Sequence, residues 1–469
     1  MTLDGKSYFL VGIGGSGMMP LAMILAGRGA TVAGSDRSLD AGRLPAKFDA
    51  LQELGITLHR QDGSGIVSTD QIVIASAAVE DTVADIVAAT ARGCQRRTRA
   101  ELNADLFNAS ALPIGIAGTS GKSTVTGMIG WILSSLGQDP TVMNGAVMKN
   151  FASDDAPFAS ALVGSGNAYV SEVDESDGSI ALYSPRIAVL NNVSLDHKSL
   201  EELNAMFGDF IGKAATAVVN ADNPDAAALA MRLPRDRVMR FSLRGDADLV
   251  ARDIVEEAFS VSFGLSPLPD PVRLQVPGRH NVANALAAIG ACVAAGVALP
   301  DAARAISGFA GLKRRFELVG ENAGVAVIDD FGHNPDKIAA TLDTLHAFPG
   351  RLLLLFQPHG FGPLKVMRRE LTAMFAEKLR AEDELILTDP AYFGGTTSRE
   401  VTSADIVADI AASGRTARHI ADRPAAAAHL SAVARPGDRI VVMGARDDTL
   451  SQLAAEILAA VGGGKNARV

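Results

Sequence analysis

Short apolar runs recur along the chain, each broken by a polar or glycine-marked turn and most followed by a stretch with helical spacing. Tyr8-Phe9-Leu10-Val11 leads through a Gly-rich turn into Met18 to Leu25, and Thr31-Val32-Ala33-Gly34-Ser35-Asp36 reads as the next strand. Gln71 to Ser76 adds a buried strand and Ala84 to Ala91 a helix, so residues 1–110 are expected to form one small doubly wound domain that exits near Asn108-Ala109-Ser110-Ala111. A second unit starts at the strand Ile114-Gly115-Ile116-Ala117. It continues through a Gly-rich loop, a helix from Lys122 to about Leu136, and strands at Ala168 to Val173, Ile187 to Asn191 and Ala217 to Asn220. Asp246 to Leu274 is less regular and reads as an antiparallel excursion within a central domain spanning 111–318. Strand-like runs at Val325 to Asp329, Leu352 to Phe356, Glu384 to Thr388 and Arg439 to Met443, separated by Ala-rich helical stretches, predict a third α/β domain over 319–469. No fixed-period repeat emerges, and Gly462-Gly463-Gly464-Lys465 reads as a frayed tail.

Composition agrees with several ordered cores. The chain has 469 residues, 48% hydrophobic and 20% charged, which exceeds what one core usually holds and is too apolar for disorder. The net charge of -10 provides no basic stripe for a nucleic-acid backbone, and the clusters Arg96-Arg97 and Lys313-Arg314-Arg315 are too small to reverse it. Cys94 and Cys292 are the only cysteines, so neither a disulfide framework nor a CxxC metal site can be written. The N-terminus lacks the basic and long apolar regions of a signal peptide, and polar residues or glycine interrupt every apolar run before it reaches membrane-spanning length. A cytoplasmic protein without membrane insertion is expected.

Candidate chemistry concentrates where predicted strands end. Gly118-Thr119-Ser120-Gly121-Lys122-Ser123-Thr124 lies between a strand and a helix, where backbone N–H groups and a helix N-terminus attract phosphate, a lysine reaches terminal phosphates and a hydroxyl binds Mg²⁺. The general pattern GxxxxGK[ST] asks for glycine where the chain has Ile116. Ser171 to Gly178 is an acidic run at a later strand's end, and Glu172 or Glu175 is a candidate Mg²⁺ ligand. Asn191-Asn192-Val193-Ser194-Leu195-Asp196-His197 closes the next strand, and His197, His280, His333 and His359 all fall at polar, Gly- or Pro-punctuated element ends, a position that favours site-lining roles. Gly12-Ile13-Gly14-Gly15-Ser16-Gly17 matches GxGxxG, with Asp36 at the end of the next strand. Such a pair places a diphosphate on a helix N-terminus and a carboxylate on a ribose hydroxyl. By itself that loop also suits an NAD-dependent dehydrogenase, but the second phosphate loop argues for a chain handling two nucleotides.

Taken in order, these segments resemble the Mur ligase family. The resemblance covers nearly the whole chain and extends to Gly34-Ser35-Asp36, Asp196-His197, Gly278-Arg279-His280-Asn281, Lys313-Arg314-Arg315-Phe316-Glu317, Asp329-Asp330-Phe331-Gly332-His333 and Phe356-Gln357-Pro358-His359. It implies an N-terminal Rossmann-like domain for a UDP-sugar, a central P-loop ATPase-like domain for ATP and Mg²⁺, and a C-terminal Rossmann-like domain for the incoming amine. The implied reaction phosphorylates a muramyl lactyl carboxylate with ATP, and an amine then attacks the acyl-phosphate. By motif, Gly118, Thr119, Ser120, Gly121, Lys122, Ser123 and Thr124 would contact ATP phosphates, while Ser123, Glu172 and His197 would hold Mg²⁺. Asn281, Arg315 and Asp330 would position the nucleotide, and Lys122, Glu172, His197, His333 and His359 are the catalytic candidates. Gly12, Gly14, Gly15, Ser16, Gly17, Asp36, Ser76, Ala77 and His359 would face substrate.

Within the family, Ser76-Ala77-Ala78, Gln357-Pro358-His359 and the absence of lysine in Ala205 to Phe210 are similar to the branch that adds L-alanine to UDP-N-acetylmuramate. Departures fall mostly in the amine-binding part. The branch usually has His where this chain has Ser120, and Arg-Tyr with a further Arg after His359, where this chain has Gly360-Phe361-Gly362-Pro363. It also usually has Tyr-Gly-His-His-Pro where this chain has Phe331-Gly332-His333-Asn334-Pro335, and the recycling branch that attaches a whole tripeptide has Phe at that first position. The expected partners are therefore UDP-N-acetylmuramate and an amino acid or short peptide, with the protein acting as a monomer or homodimer. A non-catalytic nucleotide-binding relative is a further alternative.

Overall fold

The computed structural model describes residues 3–77, 79–194, 198–391, 399–445 and 447–461. Contacts between its residues divide it into two compact units, one of residues 1–256 with 260–312 and the other of 257–259 with 313–469. The first unit carries two sheets and the second carries one.

The N-terminal sheet has five parallel strands in the order Thr57–His59, Thr31–Ser35, Ser7–Val11, Gln71–Ala75, Arg96–Thr98. The central strand Ser7–Val11 is buried on both faces from Tyr8 onward, as a covered parallel strand requires. Strand order reverses beside it, so the Gly12 to Gly17 loop opens at the switch point where such folds place ligands. Asp36 lies just past its strand and caps the short helix Arg37–Asp40.

The second sheet has ten strands. Leu112–Ala117 lies between the parallel strands Ala168–Glu172 and Ile187–Leu190, and the sheet continues through Thr216–Asn220 and Val238–Ser242. The irregular stretch is the expected antiparallel excursion, with strands Leu249–Glu256, Val261–Leu265 and Val272–Leu274. The apolar helices Lys122–Ser135 and Arg279–Ala294 pack together on this sheet, and Ala285 to Cys292 are buried throughout. Cys292 is thus a core residue, and its thiol is pushed up by burial.

The second unit has six strands in the order Glu317–Asn322, Val325–Asp330, Arg439–Gly444, Leu352–Gln357, Glu384–Leu387, Ala417–His419, with the first antiparallel and the rest parallel. Glu317 and Leu318, assigned to the central domain by the sequence pattern, pair here with Asp329 and Ile328, so this sheet begins before residue 319. Among the described residues, no helix is long and apolar enough to cross a membrane.

Candidate active site

The phosphate loop springs from the middle of the ten-stranded sheet. Gly118 and Gly121 adopt φ values of 131° and 85°, which L side chains rarely adopt. A Cβ on Gly118 would lie 3.1 Å from the Asn192 backbone N, and one on Gly121 would lie 2.4 Å from Asn191 Nδ2 and 2.6 Å from Asn284 Oδ1. Asparagines on the adjacent strand end fasten the loop. Ser120 N–H donates to Asn192 Oδ1 at 2.9 Å, and Asn192 Nδ2 donates back to the Ser120 carbonyl at 3.1 Å and hydroxyl at 2.9 Å. Asn191 Nδ2 donates to the Ser120 carbonyl (3.1 Å) and to Asn284 Oδ1 (2.9 Å), and Asn284 Nδ2 donates to Asn281 Oδ1 (3.1 Å). Asn281 therefore sits behind the loop, buried, with its own Nδ2 donating to the Pro277 carbonyl at 2.7 Å. Thr119 Oγ1 donates to the Ser194 carbonyl and accepts from Ser194 N–H.

On the other flank, the strand Ala168–Glu172 delivers the acidic run. Lys122 Nζ donates to the Gly118 carbonyl at 2.7 Å and pairs with the buried Glu175 at 2.8 Å. Ser123 Oγ donates to Glu172 Oε2 at 3.0 Å, and Glu172 Oε1 accepts the Gly145 N–H. Thr124 follows, half-buried in the first helical turn. Burial works against ionisation of Asp174, but the Ser176 N–H, Lys122 and Arg99 outweigh it and hold its carboxyl below the usual range. Hard oxygens from Ser123 and Glu172 thus meet beside an ammonium at the head of a helix, a set suited to phosphate and a hard divalent cation. The third expected metal ligand, His197, lies outside the described residues.

The same unit contains the N-terminal glycine loop. Gly12 and Ile13 N–H groups donate to the Ser35 carbonyl at 2.8 and 2.9 Å, and Gly14 N–H donates to Asp36 Oδ2 at 2.9 Å. Asp36 Oδ1 accepts the Ser38 N–H at 2.7 Å, so this carboxylate ties the loop to the start of the helix Arg37–Asp40. Gly15 and Ser16 are exposed, Ser76 and Ala77 follow the neighbouring strand, and Ala78 lies outside the described residues. Gly17 lies against Arg99, whose guanidinium Nη1 is 3.1 Å from where a Cβ would be. Sequence reasoning missed Arg99, Asn192 and Asn284. Only Asn284 left a trace, one helical turn beyond Asn281.

In the second unit, the predicted residues gather where Val325–Asp330 and Leu352–Gln357 end. Arg315 stacks on Phe331 with its guanidinium carbon 4.2 Å from the ring centre. The His333 and His359 rings meet edge-on at 5.0 Å, and His333 Nδ1 lies 2.9 Å from the Phe331 carbonyl. Burial, reinforced by Lys337, lowers the His333 pKa to about 3, so its imidazole is neutral at pH 7. With Nδ1–H donating to that carbonyl, Nε2 is left as an acceptor. Asp330 is buried and already satisfied, accepting from Phe316 N–H at 3.0 Å and Thr341 Oγ1 at 2.6 Å.

Residues 8–111 fit the model of the Mur ligase family catalytic domain, 116–292 the Mur ligase middle domain, and 314–446 the Mur ligase glutamate ligase domain. A UDP-N-acetylmuramate–L-alanine ligase of Streptomyces coelicolor is 35% identical over 452 residues, covering 94% of each chain. One from Thermobifida fusca is 35% identical over 481 residues, covering 98% of this chain and 97% of its own. Among solved structures, a UDP-N-acetylmuramate-alanine ligase of Thermotoga maritima superposes with a TM-score of 0.78 at 23% identity, covering 97% of this chain and 98% of that one. A murein peptide ligase from Psychrobacter arcticus gives 0.70 at 24% identity, covering 98% and 99%. These matches leave the dehydrogenase reading without support, and the chain belongs to the Mur ligase family of ATP-dependent ligases.

Proposed function

We propose that the protein joins L-alanine to the lactyl carboxylate of UDP-N-acetylmuramate through an acyl-phosphate, with ATP as phosphoryl donor. The observation that carries this reading is the convergence of Lys122, Ser123 and Glu172 at the head of the Lys122–Ser135 helix, in the same unit as a second glycine loop. Residues 1–110 would hold the UDP-sugar on Gly12, Gly14, Gly15, Ser16 and Gly17, with Asp36, Ser76 and Ala77 at its edge. The region from 111 would hold ATP, and the C-terminal domain the acceptor amine. This assignment fits the full-length likeness to the L-alanine ligases of Streptomyces coelicolor and Thermobifida fusca.

A carboxylate approaching the terminal phosphate of ATP meets like charge, so catalysis here is mainly positioning and charge neutralisation. Lys122 supplies one cation by exchanging Glu175 for phosphate oxygens, and the N–H groups from Gly118 to Thr124 hold the phosphates. Ser123 and Glu172, with His197 by its place in the motif, would hold Mg²⁺, which contributes further charge neutralisation when bound. No side-chain nucleophile is needed. Asn281 positions the nucleotide through Asn284 and the loop, and Arg315 and Asp330 are assigned to the nucleotide by their place in the motif alone. His333, neutral and poorly basic, serves as a hydrogen-bond acceptor that orients the amine beside His359 rather than as its general base. The proposed site of action is the cytoplasm, where ATP and the UDP-sugar are available.

A second reading, attachment of a tripeptide, is favoured by Phe331 at the position where the recycling branch carries Phe. Pure protein incubated with UDP-N-acetylmuramate, ATP and Mg²⁺, and with each amino acid or the tripeptide in turn, decides between them by ADP release and product mass. Product with L-alanine supports the proposal, and product with the tripeptide alone replaces it with the recycling reaction. Release of no ADP with any acceptor overturns both.

A further inference from the structure

Arg99 opens the helix Arg99–Asn108, whose Thr98 cap is secured by a reciprocal bond with Glu101, so the backbone that carries this guanidinium is fixed. Its side chain lies on the Gly17 backbone, with Cδ and Nη1 3.1 Å and Cζ 3.2 Å from where a Cβ would be. Gly17 is the last residue before the helix Met18–Gly27, which itself lacks any side-chain cap and any acidic residue in its first turn. The carboxylate of Asp174 feels Lys122 of the phosphate loop and Arg99 together. Arg99 is half-buried, and among the described residues its guanidinium makes no hydrogen bond and no ion pair.

An arginine is a costly side chain to immobilise without a partner, and its planar fork suits two oxygens of one anion. We infer that Arg99 binds an anionic group of the UDP-sugar, either its diphosphate or the lactyl carboxylate, between the N-terminal glycine loop and the ATP loop. The inference rests on the functional reading above. It adds a residue that neither glycine motif includes, and it gives Gly17 a reason to lack a side chain: a methyl there would force the Arg99 side chain to shift by a few tenths of an ångström. Both candidate anions offer paired oxygens, and the carboxylate must in any case travel toward Lys122 to react.

Titration calorimetry of the full chain with UDP-N-acetylmuramate, UDP-N-acetylglucosamine and ADP tests this on wild type, Arg99→Ala and Arg99→Lys. The alanine variant should bind UDP-N-acetylmuramate about 10- to 100-fold more weakly, the loss of a charge-assisted pair. The lysine variant should recover part of that loss, with ADP affinity and Tm unchanged in both. An equal loss for UDP-N-acetylglucosamine, which has no lactyl group, assigns Arg99 to the diphosphate, and a loss confined to the muramyl sugar assigns it to the carboxylate. Wild-type affinity for both sugars in Arg99→Ala overturns the inference, as does an equal fall in ADP affinity. Failure of the wild-type protein to bind either sugar refutes the functional reading itself, and the inference falls with it.

Discussion

Gly121→Ala places a methyl group where the loop has least room. At φ 85° the substituted residue pays about 1–2 kcal/mol for left-handed backbone. Its Cβ would also lie 2.4 Å from Asn191 Nδ2 and 2.6 Å from Asn284 Oδ1, so the 2.9 Å bond between those side chains must open, a further ~1 kcal/mol. The sum is about 2–3 kcal/mol, and for a domain of the central domain's size each kcal/mol lowers Tm by about 2–4 °C. Thermal unfolding should therefore shift down by about 4–12 °C. Because Asn191 also holds the Ser120 carbonyl, affinity for a fluorescent ADP analogue should fall at least about tenfold. Asn284→Ala combined with Gly121→Ala removes one of the clashing atoms, so the double variant should lose less than the two single losses added together. A Gly121→Ala protein with wild-type Tm and ADP affinity would refute the claim that these contacts shape the loop.

Lys122→Ala should abolish ADP release, with a fall in kcat of at least ~1000-fold, and unchanged phosphate transfer would sink the role given to that ammonium. Glu172→Gln keeps the side chain's size but removes its negative charge and leaves one acceptor oxygen where Ser123 and Gly145 now use two, so half-maximal activity should need severalfold more Mg²⁺ in a titration; an unchanged Mg²⁺ curve removes Glu172 from the metal set. For His333, the folded pKa of about 3 lies below its ordinary 6.5, so the unfolded chain binds the proton first and stability contributed above pH 6.5 is lost as pH falls toward 3. His333→Asn should flatten that acid decline in urea unfolding followed between pH 7 and 4, and parallel curves for the two proteins would contradict it. Asp329 runs the other way: burial, only partly offset by Arg314, raises it to about 6, so its contribution is present below pH 3.8 and lost as pH rises through 6. Asp329→Asn should therefore steepen the acid decline that His333 leaves, measured by the same unfolding series.

Much of this architecture was legible because it is written locally. Short continuous apolar runs bounded by turn residues located the strands Ser7–Val11, Leu112–Ala117 and Leu352–Gln357 to within a residue or two, and the two glycine loops follow from needing φ values that only glycine adopts freely. The strand Glu317–Asn322 was missed for the opposite reason. Its residues Glu317-Leu318-Val319-Gly320-Glu321-Asn322 are only partly buried or exposed at an edge, so no apolar alternation marks it, and it is a strand because Val325–Asp330 pairs with it.

The site residues divide along the same line. Lys122, Ser123 and Glu172 could be found because each stands directly at an element end, where the fold class alone says ligands bind. Arg99 could not, since nothing in Arg99-Ala100-Glu101-Leu102 distinguishes it from any solvated first turn; it becomes conspicuous only when folding lays it on Gly17, 82 positions away in sequence. Asp36 shows that even a correctly placed residue can carry a role its motif does not mention. The glycine-loop pattern reads it as a ribose ligand, yet both its oxygens already accept N–H groups, from Gly14 and Ser38. A carboxylate retains lone pairs for a further hydroxyl, so the two roles are compatible, but they make different demands. Asp36→Asn would keep one acceptor oxygen and weaken the loop bond to Gly14 as well as any bond to ribose, whereas a ligand role alone would leave the unliganded protein's Tm untouched. A fall in Tm without nucleotide therefore measures the structural share of Asp36, and what remains in the UDP-sugar affinity belongs to recognition.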